Sequence, residues 1–321
     1  MHPTGHRVVL VTGASSGIGL ATAHRAARHG DHVVLLARGL PRLLEASEEC
    51  RSLGAASARA VAVDVLDAAA VEAAVASVTA ELGQIDVLVH SAGLVAYGRF
   101  EDVPAEVYDR VVSTNALGSA NIARAVLPDM RRRNAGTLVL VGSLIGEIAT
   151  PYMSAYAISK WAVRSLARHL QIENRDRPGV HVCIVSPGGV DTPIYLQAAN
   201  YHGPVGRPPF PVVSPEKVAK AALALADRPR PRVHVGAVNG LIATGFVLFP
   251  RLYDVLVTPL FTTAATDLRH RVQAGTGNVL SSEPRLNRLH GEHGNPLATI
   301  AANLLAQLRS AAVPPAKDQK E

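Results

Sequence analysis

The chain has 321 residues, 48% hydrophobic and 18% charged, which excludes a disordered polymer and allows one large core or one domain with an appendage. The formal charge is +6, yet Lys and Arg number 24 against 20 acids over residues 1–239 and 8 against 6 over 240–321, so the excess is spread and no nucleic-acid surface is expected. Cys50 and Cys183 stand at no metal or disulfide spacing, which fits a reducing, cytoplasmic setting, and the few residues ahead of the first apolar run leave no room for a signal peptide.

The run Val8 to Val11 is apolar at successive positions, as in a strand covered on both faces, and predicts the first strand. Thr12-Gly13-Ala14-Ser15-Ser16-Gly17-Ile18-Gly19 follows it and opens a helix expected over 17–29. Gly13 permits the tight exit from the strand. Gly17 lets a pyrophosphate approach the backbone at the positive end of the helix, and Gly19 lets the helix pack close to the sheet. The second strand, 33–36, ends at Ala37-Arg38. A carboxylate here would accept from both adenosine ribose hydroxyls; Arg38, assisted by Arg42, suits a 2′-phosphate instead. A helix over 40–52 and a strand over 60–63 lead to Asp64, placed to accept from an adenine amino group. A helix over 68–82, a strand over 87–89 and helices over 105–116 and 119–132 follow, then a fifth strand over 138–141.

Ser143 lies just past that strand, on the carboxyl edge where open α/β sheets bind ligands. On the helix expected over 154–173, Tyr156 and Lys160 stand four apart and share a face. The lysine cation there is expected to lower the tyrosine pKa and make the phenol an acid/base near neutral pH. Strands over 182–185 and 233–235 flank a helix over 215–226. The alternation predicts a Rossmann-like, doubly wound parallel α/β sheet of about seven strands with right-handed crossovers.

With these residues in order, the chain resembles the short-chain dehydrogenase/reductase family over about residues 7–238. The resemblance rests on the glycine loop, Asp64, Ser91-Ala92-Gly93, Asn115, Ser143, Tyr156-x-x-x-Lys160 and Pro187-Gly188. It implies an NADP(H)-dependent oxidoreductase, NAD(H) being the alternative, that interconverts a carbonyl and an alcohol by hydride transfer. Tyr156 would be the acid/base, Ser143 would orient the carbonyl, and Lys160 would hold the nicotinamide ribose. Asn115 would hold a water in a proton relay. Cofactor contacts are expected at Gly13, Ser15, Ser16, Gly17, Ile18, Gly19, Arg38, Asp64, Val65, Ser91, Ala92, Gly93, Tyr156, Lys160, Pro187, Gly188, Val190 and Thr192. The family usually carries Asn where Ser91 stands; a hydroxyl there can still bond locally. His90 reads as a packed strand-end residue. A nucleotide-binding scaffold that has lost turnover is the alternative from another class. The resemblance also implies dimers or tetramers built through helices 105–132 and 154–173.

Loops 94–100, 144–153 and 190–213 carry Leu94, Tyr97, Phe100, Leu144, Ile145, Tyr152, Met153, Ile194, Tyr195, Tyr201 and Phe210. They predict an apolar substrate site with a proline-stiffened lid and no arginine at its centre. The boundary expected at 238/239 separates this catalytic domain from a C-terminal extension, largely helical, apolar over 240–265 and polar after that. Pro250, Arg251, Asp254 and Pro259 interrupt the apolar stretch, against a membrane span. A helix packed on the domain or on a partner subunit, and a helix lying on a membrane surface, both stay open. His290 and His293 read as a solvated loop rather than a metal site, and 310–321 as a frayed tail.

Overall fold

The computed structural model describes residues 5–312. Seven strands form one parallel sheet: β1 (Val8–Thr12), β2 (His32–Ala37), β3 (Ser57–Ala62), β4 (Val87–His90), β5 (Gly136–Val141), β6 (Val180–Pro187) and β7 (Arg232–Val235). Their order is β7-β6-β5-β4-β1-β2-β3. The order reverses between β1 and β4, and the crevice past their carboxyl ends is where such sheets bind ligands.

Helices cover both faces, which is why the central strand runs, such as Val8 to Val11 and Leu138 to Val141, are apolar at successive positions. Val9 and Val11 of β1 face a layer completed by α1 (Gly17–Arg28), α2 (Leu40–Ser52) and α7 (Pro215–Asp227), with Leu20, Leu43 and Val218 fully buried. Val8 and Leu10 point the other way, onto Val78 of α3 (Ala68–Leu82), Ile122 of α4 (Ala105–Arg133) and Val163 of α5 (Ser154–Glu173). A short helix α6 (Ile194–Gln197) follows β6.

Two expectations about this part of the chain are corrected. The separate helices at 105–116 and 119–132 are one helix, unbroken at Gly118. That glycine is a packing device: a Cβ there would lie 2.6 Å from Val65 Cγ2. β3 starts at Ser57, three residues early, because Ser57 and Ala58 pair with His32 and Val33.

The extension returns over the carboxyl edge of the sheet. Helices α8 (Asn239–Leu248) and α9 (Pro250–Ala264) are parted at Phe249, with Pro250 opening α9, where its missing N–H costs nothing. Strand β8 (Thr266–Arg271) pairs antiparallel with Pro204–Gly206. Residues 275–293 run back across the sheet edge, and α10 (Pro296–Ala312) follows. No helix among the described residues is long and apolar enough to cross a membrane. The tail expected over 310–321 lies outside the described residues, apart from 310–312, which end α10.

Candidate active site

The crevice between β1 and β4 opens into a groove lined by Gly13, Ser15–Ile18, Ala37–Gly39, Val63–Val65 and Ser91–Leu94. Gly13 sits at φ +67, and a Cβ there would lie 2.8 Å from the Ala92 N, so only glycine lets the two loops meet. The Ser91 hydroxyl donates to the Thr12 carbonyl at 3.0 Å and the Ala92 N–H to Thr12 Oγ1 at 3.3 Å. The hydroxyl thus ties the β4 loop to β1 locally. His90 is buried with Nδ1 2.8 Å from Thr12 Oγ1, and burial drives its pKa down to about 3, so the ring is neutral.

Arg38 lies at the groove's outer end, as expected, but it is not free. Its Nη2 donates to the Asn278 carbonyl at 2.7 Å and its Nη1 to the Val279 carbonyl at 3.2 Å. Burial lowers its pKa, Asp64 opposes that and Arg110 adds to it. Asp64 accepts the Leu66 N–H at 3.1 Å and pairs with Arg110, so part of its accepting capacity is already spent within the fold. Arg42, placed with Arg38 from sequence, turns away to Glu49 at 2.6 Å. Arg110 was missed because its place beside Asp64 depends on how α4 packs.

The groove shares Ile18, Ser91, Gly93, Thr192 and Ile194 with a second cavity of about 520 Å³. Ser143, Tyr156 and Lys160 all line this cavity. Lys160 is 5% exposed, and its Nζ donates to the Val141 carbonyl at 2.9 Å and lies 5.6 Å from the centroid of the Tyr156 ring. Burial lowers Lys160 to about 8. Burial also pushes Tyr156 up to about 12, opposed by a hydrogen bond with Ser143. This reverses the depression expected from Lys160: the ammonium sits over the ring, held by a carbonyl, and desolvation of the phenolate outweighs it. Asn115 accepts the Leu94 N–H at 2.7 Å and donates to the Leu94 carbonyl and to Ser159 Oγ at 2.9 and 2.8 Å. Its amide is satisfied within the protein and braces the loop at Gly93, where a built Cβ would meet both Asn115 Oδ1 and Lys160 Nζ.

Pro187, Gly188, Val190 and Thr192 line the junction of the two cavities or the second cavity itself. Gly188 is backed by Asn239, the buried first residue of α8, which donates to the Ser186 carbonyl at 3.2 Å. Of the expected pocket residues, Tyr97, Leu144, Ile145, Met153, Ile194, Tyr195 and Phe210 line the cavity, while Leu94 lines the groove. Phe100 packs edge-on against Tyr108 instead, and Tyr152 stacks on His202.

The other wall comes from α8 and α9, through Ile242, Phe249, Leu252, Leu256 and Leu260. An arginine is present after all: Arg207 lines the cavity, 4% exposed, its Nη2 bonded to the His293 carbonyl and its Nε without a partner. Sequence reading missed it because a proline-rich loop gives no periodicity to place a side chain. His290 is 40% exposed, with Nε2 2.9 Å from Glu216, while His293 is packed inward with Nε2 2.9 Å from the Thr192 carbonyl.

The model of the short chain dehydrogenase family matches residues 7–200. An uncharacterised oxidoreductase of Bacillus subtilis (strain 168) is 33% identical over 257 residues, 78% of this chain and 71% of that one. An alcohol dehydrogenase from the archaeon Thermococcus sibiricus, complexed with 5-hydroxy-NADP, superposes with a TM-score of 0.62 at 29% identity, over 73% of this chain and 97% of that one. An NAD+-bound xylitol dehydrogenase superposes with a TM-score of 0.55 at 34% identity, over 57% of this chain and 70% of that one.

Proposed function

The chain belongs to the short-chain dehydrogenase family, and from that premise we propose that it is an NADP(H)-dependent oxidoreductase that interconverts a carbonyl and an alcohol on an apolar substrate. One observation carries this reading: Ser143, Tyr156 and Lys160 meet in a cavity continuous with a dinucleotide-shaped groove. The groove suits such a cofactor in chemistry, with glycine-permitted backbone approach at Gly13 and a cation rather than a carboxylate at Arg38.

A nicotinamide held beside Pro187, Gly188 and Thr192 would supply the hydride for reduction of a carbonyl. The Tyr156 hydroxyl gives its proton to the oxygen, which becomes the alcohol. A phenol held near pKa 12 keeps that proton until alkoxide develops, which suits an acid in reduction. Ser143, bonded to Tyr156, orients the carbonyl oxygen. Lys160, whose ammonium lies 5.6 Å from the centroid of the Tyr156 ring, favours the phenolate left by that proton transfer electrostatically. Asn115 acts by holding Leu94 and Ser159, and so the loop beneath Lys160. Aliphatic and aromatic side chains from the loops and α9 exclude water around the reacting carbon. Among the described residues, Arg207 is the one cation of the lining besides Lys160 and no carboxylate lines it, so an acceptor group at the far end of the substrate is favoured.

NADPH oxidation against a panel of apolar ketones and aldehydes tests the activity. Tyr156→Phe is expected to lose at least about 10²-fold in kcat while NADPH affinity stays within about twofold. A variant that keeps its turnover overturns the acid/base role.

The outer surface of α8 and α9 supports a second proposal, about where the substrate comes from. Leu241, Val247, Leu248, Phe249, Leu252, Val255 and Leu260 are all exposed there, and Phe249, Leu252 and Leu260 also line the cavity. A large exposed apolar patch calls for a covering surface. A lipid surface would leave the cavity mouth supplied, where a protein partner would plug it. Liposome flotation of the chain, against a triple variant with Val247, Leu248 and Val255 changed to Ser, separates the two. Equal flotation, or none by either, sinks the lipid proposal. A homo-oligomer through α4 and α5 is also proposed, since Leu117, Ile158 and Trp161 are exposed on them.

A further inference from the structure

Residues 275–293 cross the dinucleotide groove as a strap. Val279 is its peg: the side chain is fully buried among Leu94, Val107, Val111 and Ala155. Gly277, at φ +51, lets the strap lie against the carbonyls of Gln197 and Ala198, which a Cβ would strike. The Asn278 N–H donates to the Gln197 carbonyl at 2.8 Å. Gln197 Nε2 donates in return to the Leu286 carbonyl at 3.2 Å and to Asn287 Oδ1 at 2.9 Å. Farther along, the Gly17 N–H at the head of α1 donates to the Arg288 carbonyl at 3.0 Å, and the Gly291 N–H to Asp191 at 3.2 Å. The strap therefore spans from the adenosine end of the groove to the glycine loop, and Asn278, Ser282, Glu283 and Asn287 form part of the groove's lining.

Its contact with Arg38 has a chemical consequence. An arginine at a strand end is long and loses side-chain freedom when it binds a phosphate. Here two carbonyls from consecutive residues already hold the guanidinium, at 2.7 and 3.2 Å. Carbonyls are neutral acceptors, so they fix the group without cancelling its charge, as a carboxylate would. A guanidinium has five N–H donors; two are engaged by the strap, which leaves Nε and a second N–H on each Nη for a ligand.

We propose that residues 277–288 select the cofactor: the Asn278 and Val279 carbonyls preset Arg38 for the 2′-phosphate, and the strap roofs the adenosine half so that the dinucleotide leaves only when the strap lifts. This rests on the dinucleotide reading of the groove. It adds that selection depends on a segment lying outside the 7–200 stretch matched by the family model. Arg38 touches the cofactor, and the strap is a positioning element that acts through it.

The test uses the full chain and measures equilibrium affinities and dissociation rates for NADPH and NADH by nicotinamide fluorescence. It compares wild type, Gly277→Val, Gln197→Ala, Arg38→Ala and the Gly277→Val/Arg38→Ala double variant. Gly277→Val is expected to speed NADPH release by about tenfold or more, and to reduce the preference for NADPH over NADH about as far as Arg38→Ala does. In the double variant the preference falls no further, because both changes act on one guanidinium. Gln197→Ala moves both quantities the same way by a smaller factor, and it decides the matter if circular dichroism shows that Gly277→Val fails to fold. Unchanged release and preference in both strap variants overturn the proposal. Tighter NADPH binding on loosening the strap overturns it too, since the strap would then be a competitor. A wild-type chain that binds neither dinucleotide overturns the reading of the groove itself, and a chain that binds both equally, with or without Arg38, overturns only the selecting role.

Discussion

The sheet with its flanking helices and the extension beyond residue 238 are about equally apolar to the eye, but they spend that apolarity differently. In the first, Val8 to Val11 and Leu138 to Leu140 are fully buried, and alternate residues feed two separate helical layers. In the second, α8 buries only Asn239 and α9 only Phe261, while Val255 stands 71% exposed. The extension's inner side chains line a cavity and its outer ones face outward. Hydrophobic content by itself does not say whether a segment builds a core, and the partner of each face does.

Substitutions can sharpen or break that contrast. The largest stability effect is expected at Leu138, whose change to Ala opens a cavity between sheet and helices and costs about 3 kcal/mol in denaturant unfolding. A loss below about 1 kcal/mol would mean that the sheet core is looser than the burial indicates. Next comes Lys160, the buried cation of the site. Its folded pKa of about 8 lies below the ordinary 10.5, so below pH 8 the folded chain holds an ammonium at a cost. Between those values the folded chain binds fewer protons than the unfolded one, and stability rises with pH. Lys160→Met is therefore expected to abolish turnover yet gain about 2 kcal/mol at pH 7, a gain that fades by about pH 10.5. A gain that persists at high pH would point to packing instead of charge. The smallest effect is expected from the Ser substitutions at Val247, Leu248 and Val255, which should shift unfolding by about 0.5 kcal/mol or less. A large loss there would reveal packing that the exposure of these residues does not show.

Much of this architecture is readable in the residues. The strand runs, the glycine loop and the i, i+4 pair of Tyr156 and Lys160 are local patterns, and local patterns survive folding. What failed to read has a common cause in distant contacts. The helices expected over 105–116 and 119–132 are one, with Gly118 placed against Val65. Tyr156 looks acidified by Lys160 until the carbonyl of Val141 is seen to hold the ammonium and burial to dominate. Arg38 is legible as a cation, but its two carbonyl partners lie some 240 residues away in sequence. Arg207 sits in a loop without periodicity, and only the cavity reveals it.

The strap across the groove has a bearing on how the chain is made. Synthesis runs from the N-terminus, and domains fold as they emerge. The glycine loop and Arg38 leave the ribosome long before Asn278 and Val279, and the seven strands are complete at Val235. On the proposed role of the strap, a nascent chain presents its groove roofless, and a segment made well after the last sheet strand closes it. If the strap roofs the groove as proposed, a dinucleotide would reach a newborn chain by an open route and leave a finished molecule only by lifting the strap.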